Sequence, residues 1–589
     1  MTVEIEVFPV VPHAWQLLWR LPEAHRSVRD AVRFVRDAVA APAADAAPAA
    51  IAAPAAVAAP ADVVASATRP REQAASPIEA ASPLEASPAG SESFDVLIVG
   101  AGLSGIGAAA HLQDRCPGKR YAILEARAAI GGTWDLFRYP GVRSDSDMHT
   151  LGYAFKPWTD AKAIADGPSI RAYIEETAAE RRIDRQIRFG ERVVRAEWSS
   201  SEARWTVLVQ RGAERRRYSC GFLYFCSGYY DYAEGHRPAF PGEVRFQGQL
   251  VHPQFWPTGL VHAAKRIVVI GSGATAVTLV PELAKMAAHV TMLQRSPSYY
   301  LPLPTSDPMA EALRRRLPER LAYRLIRAKN VLLTLLFFQA SRRWPAAIKA
   351  RLIGSAERRL GPGHDVATHF TPRYNPWDQR LCVLPDADLF KAIRSGRAEI
   401  VTERIETFTE RGIRLASGRE LEADLIVTAT GLKVEALGGA QIAVDGRPLR
   451  AADTMAYKGL MFGGVPNLAY TFGYTNASWT LRADLTAGFV CRLLRHMDRH
   501  GWQVAVPKPD PSVGTRPFLD LTSGYVQRGN AILPRQGTRK PWRLYQNYLL
   551  DLLTLRWGRL EDGTLQFSRA TPSRAAAAQN TPAEAVSIE

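Results

Sequence analysis

The sequence predicts an α/β fold built from two Rossmann-like dinucleotide-binding domains, the second inserted into the first, with a helical excursion. Three observations carry that expectation. Two passages, opening at Phe94 and Arg266, each run strand, glycine loop, helix, strand. Each is answered later by an apolar strand ending in a small turn: Leu223-Tyr224-Phe225-Cys226-Ser227-Gly228 for the first, Leu425-Ile426-Val427-Thr428-Ala429-Thr430-Gly431 for the second. Between residues 305 and 372 the chain turns rich in Leu, Arg and Ala with helical periodicity.

Taken in order, residues 1–38 have room for one or two short helices, and residues 39–93 are dominated by Ala, Pro and Ser. Such a stretch cannot bury enough apolar surface to offset its ordering entropy, so residues 1–93 are expected to be a largely disordered extension. The first strand is Phe94–Val99, its helix runs through Leu112, and the second strand, Tyr121–Leu124, ends in Glu125. The other passage runs Arg266–Ile270, a helix through Ala284, and a strand His289–Leu293 ending in Gln294-Arg295. The expected boundaries are 94–245 and 431–565 for the outer domain, 246–304 and 373–430 for the inserted one, 305–372 for the helical insertion, and 566–589 for a disordered tail.

At 589 residues the chain can form two or three domains with full cores. Apolar residues make up 47% and charged residues 22%, an ordinary globular balance that argues against a disordered or membrane-spanning chain. The longest apolar run, Val331–Ala340, is about half the length that spans a bilayer. MTVEIEVF has no basic segment leading into an apolar one, so no secretory signal is expected. The five cysteines form no CxxC pair and no metal-ligand spacing, which suits small core thiols in a reducing cytoplasm and gives no bound metal. The net charge of +16 is spread over short arginine groups such as Arg215-Arg216-Arg217 and Arg314-Arg315-Arg316. That pattern suits a solvated basic surface and anionic cofactors rather than nucleic acid. Trp15, Leu17, Leu18 and Trp19 would suit weak peripheral contact with a membrane.

The first loop is Gly100-Ala101-Gly102-Leu103-Ser104-Gly105. Gly100 permits the tight turn, Gly102 lets backbone approach a pyrophosphate, and Gly105 lets helix and strand pack closely, with the phosphates on the helix N-terminus. Glu125, twenty residues past Gly105, can accept hydrogen bonds from ribose hydroxyls. The second loop is Gly271-Ser272-Gly273-Ala274-Thr275-Ala276, and nineteen residues past Ala276 stands Arg295, followed by Ser296. A carboxylate there would repel a 2′-phosphate, whereas a guanidinium pairs with it. The second site is therefore expected to take NADPH and the first a nucleotide with free ribose hydroxyls; a plain surface arginine is the competing reading of Arg295. Two such sites suggest hydride transfer from NADPH to FAD. Spacing does not say where the electrons go next.

Three further stretches carry a resemblance. Gly131-Gly132-Thr133-Trp134 is followed by Tyr139-Pro140-Gly141 and Asp145, Phe246-Gln247-Gly248 by His252 and Trp256-Pro257, and Trp377-Asp378-Gln379-Arg380-Leu381-Cys382 completes the set. With both glycine loops, these resemble the class B flavoprotein monooxygenases, and Baeyer–Villiger enzymes in particular, over roughly residues 94 to 560. GGTWDLFRYPG, RSDSDM, YNPWDQRLC and GYTNASWT resemble the ethionamide monooxygenase branch. The first 93 residues have no counterpart.

The resemblance implies that Thr133, Trp134, Asp135 and Leu136 line FAD, that Ser104 and Glu125 meet its pyrophosphate and ribose, and that the main chain near Val193 touches its adenine. It places Arg143, Ser144 and Asp145 where flavin and nicotinamide meet, and gives NADPH to the loop from Gly271 to Val277 with Arg295 and Ser296. It implies that His252 is an exposed or hinge histidine between the domains, conformational rather than catalytic, with Phe246 and Trp256 as linker anchors. Arg380 is the expected catalytic cation, oriented by a charge-assisted pair with Asp145. Many members carry Lys where this chain has Gln379, which puts strict selectivity for NADPH in doubt. The implied reaction uses O2 to convert ketones to esters or lactones, or to oxidise organosulfur, through an oxygenated flavin. The alternatives are an N- or S-oxygenating flavin monooxygenase, and a nucleotide-binding redox sensor without catalysis. A flavin disulfide reductase would need the reactive Cys pair this chain lacks.

Overall fold

The computed structural model describes residues 92–570. The Ala/Pro-rich extension up to Ser91, with Trp15, Leu17, Leu18 and Trp19, and the residues from Thr571 lie outside the described residues. Residues 566–568, expected to belong to a disordered tail, instead continue the strand Leu565–Ser568, which pairs in antiparallel with Val504–Pro507.

The first sheet grows around Glu92–Val99, whose residues Val96, Leu97 and Ile98 are fully buried. It pairs in parallel with Tyr121–Glu125 (Val96 opposite Tyr121) on one side and with Glu214–Phe225 (Val99 opposite Phe225) on the other. Strands buried on both faces read as continuous apolar runs, as both passages do. The long strand Glu214–Phe225 also pairs in parallel with Leu468–Tyr470 at its apolar end, and in antiparallel with Arg204–Arg211 along the rest. The sheet totals eleven strands. It begins two residues earlier than the sequence suggests, because Glu92 and Ser93 continue the ladder opposite Tyr218 and Ser219.

The second sheet has five strands, all parallel, in the order Ala398–Thr402, His289–Gln294, Arg266–Ile270, Leu425–Thr428, Gln249–Val251. Every strand of this sheet comes from residues 249–428, while the first sheet uses 92–225 and 441–470. One α/β unit is thus inserted in another, as the sequence predicts. The two chain crossings, Tyr230–Gly235 and Leu432–Val434, pair with each other as an antiparallel ribbon between the sheets.

Helices cover the sheets. Leu103–Arg115 packs on the first sheet together with the long helix Trp479–His500, which Gly501 ends in the left-handed region at φ 65°. The excursion consists of Pro308–Arg316, Glu319–Arg343, Pro345–Leu360 and Val366–Phe370. Asp307 caps the first of these by accepting from the N–H groups of Met309 and Ala310, with Pro308 at a position where no backbone donor is needed. All five cysteines are buried and unpaired.

Candidate functional site at the junction of the two nucleotide units

Each glycine loop is shaped by a close approach that only glycine permits. Gly100 has φ +105°, and a Cβ there would lie 2.8 Å from the Cys226 carbonyl oxygen at the end of the neighbouring strand. Gly271 has φ +139° and meets the Ala429 carbonyl in the same way. Gly105 is pressed onto the Gly100 carbonyl and so serves helix–strand contact rather than lining the cavity. The helices Leu103–Arg115 and Ala274–Leu283 then open with Gly102 and Gly273 in extended conformation at their N-caps and no side-chain cap, which leaves their first N–H groups facing outward.

A cavity of about 600 Å³ runs from the first loop to the junction with the second unit. It is lined by Gly100, Gly102, Ser104, Glu125, Thr133, Trp134, Val193, Arg143, Ser144, Asp145, Ala274, Thr275 and Arg380, which sequence reasoning singled out. Gly271, Ser272, Gly273, Ala276 and Val277 lie beyond its walls, as do Arg295 and Ser296. Ser272 nevertheless ties the second loop to that strand end: its hydroxyl donates to the Ser296 carbonyl at 3.2 Å. Arg295 is exposed there and makes no ion pair among the described residues.

Glu125 is buried at the cavity edge. Its Oε2 accepts the Ala101 N–H at 2.6 Å and its Oε1 the Arg127 N–H at 2.8 Å, which leaves further lone pairs on both oxygens. Burial pushes its carboxyl above the ordinary range, and these N–H groups offset part of that. Ser104 is spoken for from one side, since the Trp479 indole N–H donates to its hydroxyl at 2.7 Å.

Two expected liners point elsewhere. Asp135 turns into a cluster of three arginines: Arg127 at 2.5 Å, Arg138 at 2.8 Å and Arg171 at 3.0 Å. Leu136 enters the apolar core with Phe137. In the single helical turn Thr133–Leu136, Thr133 and Trp134 line the cavity, while the arginines draw Asp135 away from it and core packing takes up Leu136.

The Tyr139-Pro140-Gly141 stretch joins the two units. Gly141 has φ +75°, and a Cβ there would come within 3.3 Å of the Thr278 carbonyl on the second unit's helix. The Tyr139 hydroxyl meets Thr275 of the same helix. Arg143 crosses to Asp388 at 2.6 Å, while its Nε and Nη2 are buried without a partner. Buried donors of this kind call for an acceptor from a bound group.

Arg380 stands two residues before the strand Cys382–Pro385, after Trp377 at φ +69°. Its Nε donates to the Thr475 carbonyl at 3.2 Å. Burial alone would lower its pKa, but Tyr229, Tyr525, Tyr230 and Asp145 more than offset that and hold it above the ordinary value. Burial pushes the Asp145 carboxyl up, and Arg380 and Arg143 offset only part of the rise. Both side chains keep accessible surface toward the cavity. The direct charge-assisted pair expected between them is not formed. They act on each other through the field between them, while the Arg380 Nε is engaged by the Thr475 carbonyl.

Sequence reasoning gave no role to Tyr229, Tyr230 or Trp479, which complete the walls. Tyr229 stacks on Trp479 at 5.4 Å, and its hydroxyl bonds that of Tyr230 at 2.6 Å. The signals were present, a Tyr-Tyr-Asp-Tyr run after the first domain's strand and the Trp of GYTNASWT, but nothing local gives their direction. His252 is half-buried against Gly235 of the crossing ribbon, and its Nδ1 accepts the Gln254 N–H at 3.2 Å. Phe246 packs edge-on against Phe408, and Trp256 joins the core of the second unit. Gln379 is half-buried. Away from the cavity, His496, His500 and Glu561, unremarked in the sequence, come together with ligand atoms within 4.8 Å.

A family model described as flavin-binding monooxygenase-like matches residues 159–321, and one described as an NAD(P)-binding Rossmann-like domain matches residues 98–166. FAD-containing monooxygenase EthA of Mycobacterium tuberculosis (strain ATCC 25618 / H37Rv) is 55% identical over 481 residues, 81% of this chain and 98% of the relative. Its counterpart in Mycolicibacterium smegmatis is 54% identical over 81% of this chain and 98% of the relative. Among solved structures, an oxidized steroid monooxygenase bound to NADP superposes with a TM-score of 0.65 at 23% identity, over 81% of this chain and 100% of that one. A closed cyclohexanone monooxygenase superposes at 0.59 and 20% identity, over 71% and 87%. These likenesses establish a shared two-unit α/β fold.

Proposed function

Since the chain belongs to the family of FAD-containing monooxygenases, we propose that it binds FAD at the first glycine loop and NADPH at the second, and uses both with O2 to put one oxygen atom into a small organic substrate. The FAD domain would comprise 94–245 and 431–565, the NADPH domain 246–304 and 373–430. The finer reading is Baeyer–Villiger chemistry, ketone to ester or lactone, with oxidation of thioether or thioamide sulfur alongside. The single observation that carries it is Arg380, a permanent cation held at the junction of the two units beside Asp145.

The residues present fit the two cofactors. Gly102 and Gly132 bring two backbone turns within contact of each other at the cavity wall, where helix N–H groups are free for phosphates. Glu125 keeps acceptor capacity for ribose hydroxyls. Arg143 keeps two buried donors, and Arg295 an unpaired guanidinium for a 2′-phosphate. FAD reduced by NADPH would supply the activated oxygen. Arg380 cannot be deprotonated at working pH, so it stabilises negative charge on oxygen throughout the pH range. Tyr229, Tyr230 and Trp479 exclude water on that side. Asp145, which lines the same cavity, would bias the position of the guanidinium through the field between them rather than through a bond.

The alternative, N- or S-oxygenation without Baeyer–Villiger activity, is separated by product analysis. Purified enzyme with NADPH and O2 is given a ketone and, separately, a thioether. Ester from the ketone in proportion to NADPH oxidised supports the proposal. Sulfoxide formation with the ketone returned unchanged leaves only the alternative.

A further inference from the structure

We propose that an exposed apolar ridge at Leu549–Trp557, with the basic groove beside it, is a docking face for a bilayer carrying anionic lipid headgroups. The short helix Tyr548–Leu552 runs on into the π-helical turn Leu553–Trp557. Its inner side is held by Asp551, which accepts from the Tyr474 hydroxyl at 2.7 Å and pairs with Arg482 at 2.5 Å, and by Leu555, 1% exposed in the core. Its outer side is also apolar. Leu549 is 45% exposed, Leu550 36%, Leu553 50% and Trp557 62%. Four large apolar side chains at neighbouring positions on one rigid element are more than the scattered apolar surface of an ordinary protein, and mark a contact site.

The chemistry next to the ridge names the occupant. Directly after Trp557 the chain forms one wall of a groove of about 580 Å³ with Arg559, and the facing wall is the last two turns of Trp479–His500, with Arg495 and Arg499. Arg492 fastens the two walls by donating to the Leu555 and Gly558 carbonyls at 2.6 and 2.7 Å. Arg495, Arg499 and Arg559 are exposed and make no ion pair among the described residues. The groove's one acid, Glu561, lies 3.0 Å from the His496 Nε2 and is outnumbered by the three guanidiniums. Apolar side chains bordered by unpaired guanidiniums match a surface with acyl chains below and phosphates above, and a tryptophan at the boundary suits both. A second copy of the chain would bring its own arginines against these. No helix among the described residues is long and apolar enough to cross a membrane, so the contact is peripheral. The ridge leans, through Asp551 and Tyr474, on the segment whose Ala477 and Trp479 line the cavity, so a docked molecule holds that wall close to the lipid.

The test is sedimentation of the full chain with vesicles of phosphatidylcholine alone or equimolar with phosphatidylglycerol. The wild type is expected to bind the anionic vesicles at least about tenfold more tightly, with the difference shrinking as salt rises. The double substitution Leu553→Ser with Trp557→Ser should lower that binding about tenfold and leave bound flavin and NADPH oxidation unchanged. Arg559→Glu, at an exposed position outside the core, should abolish the preference for phosphatidylglycerol while the fold stays intact. The proposal is overturned if the wild type ignores both vesicles. It is equally overturned if both variants bind like the wild type, which would hand the contact to residues 1–91. A wild type that dimerises through the ridge, becoming monomeric in the double variant without vesicle binding, would make the face a contact between copies instead.

Discussion

Replacing Arg295 by alanine isolates the choice of nicotinamide cofactor. The residue follows the strand His289–Gln294, and the Ser272 hydroxyl fixes that strand end to the second glycine loop. Its guanidinium is exposed and makes no ion pair among the described residues, so its removal strands no internal partner and should cost the fold almost nothing. What is lost is one charge-assisted contact to the 2′-phosphate, about 1.5–3 kcal/mol. The exposed setting favours the lower end, because water and salt screen the pair. At about 1.4 kcal/mol per factor of ten, kcat/KM for NADPH should fall roughly tenfold, almost wholly through KM. NADH has no 2′-phosphate, so its kcat/KM should stay within about twofold, where screening terms lie. The assay is steady-state oxidation of each cofactor at two ionic strengths, with a smaller NADPH effect at the higher. Equal losses for both cofactors, or an NADPH effect indifferent to salt, would refute the assignment.

Three further outcomes are expected. Arg380→Ala should still bind both cofactors and consume O2, but release hydrogen peroxide in place of oxygenated product, with Arg380→Lys recovering only a fraction; an unchanged ratio of product to NADPH oxidised would move the role to another cation. Arg143→Ala leaves the half-buried Asp388 without its partner at 2.6 Å and should destabilise the contact between the units by about 1–2 kcal/mol, seen as a lower melting temperature and weaker NADPH binding. Asp135→Ala should cost about 2–4 kcal/mol at neutral pH, since it leaves three arginines facing one another. Burial raises the Asp135 pKa, but Arg127 and Arg138, with Arg171, outweigh that and depress it. A depressed folded pKa gives stability that is present above the unfolded value and lost as pH falls through the folded one, so the gap between variant and wild type should close in acid. A gap that is constant down to low pH would deny the ion cluster its part.

The layout of the fold could be read from the sequence because its signals are local. A strand, a glycine loop and a helix occupy fewer than thirty consecutive residues in each unit, and the returning strands at Leu223 and Leu425 show that one unit interrupts the other. Glu125 was legible for the same reason, since Ala101 and Arg127 of the same βαβ unit hold it, while Gly100 and Gly271 were legible from the loop pattern although the carbonyls that crowd them, of Cys226 and Ala429, lie far along the chain. What depended on distant parts of the chain was not legible. Asp135 sits beside Trp134 in sequence, but its direction is set partly by Arg171, on another helix. Asp145 and Arg380 share a cavity without touching, while Thr475, ninety-five residues past Arg380, engages the guanidinium. Ser104 and Trp479 meet across 375 residues. The outward apolar face at Leu549–Trp557 has ordinary helical spacing, and only the buried Asp551 and Leu555 reveal which side faces water.

The central claim, that this chain transfers an atom of molecular oxygen using electrons from NADPH, is tested most directly by mass analysis of the product formed from a ketone under isotopically heavy oxygen gas. One heavy oxygen atom per molecule of ester and one NADPH oxidised for each are expected. Ester without the label, or NADPH oxidised to hydrogen peroxide with the ketone unchanged at every substrate tried, would contradict it.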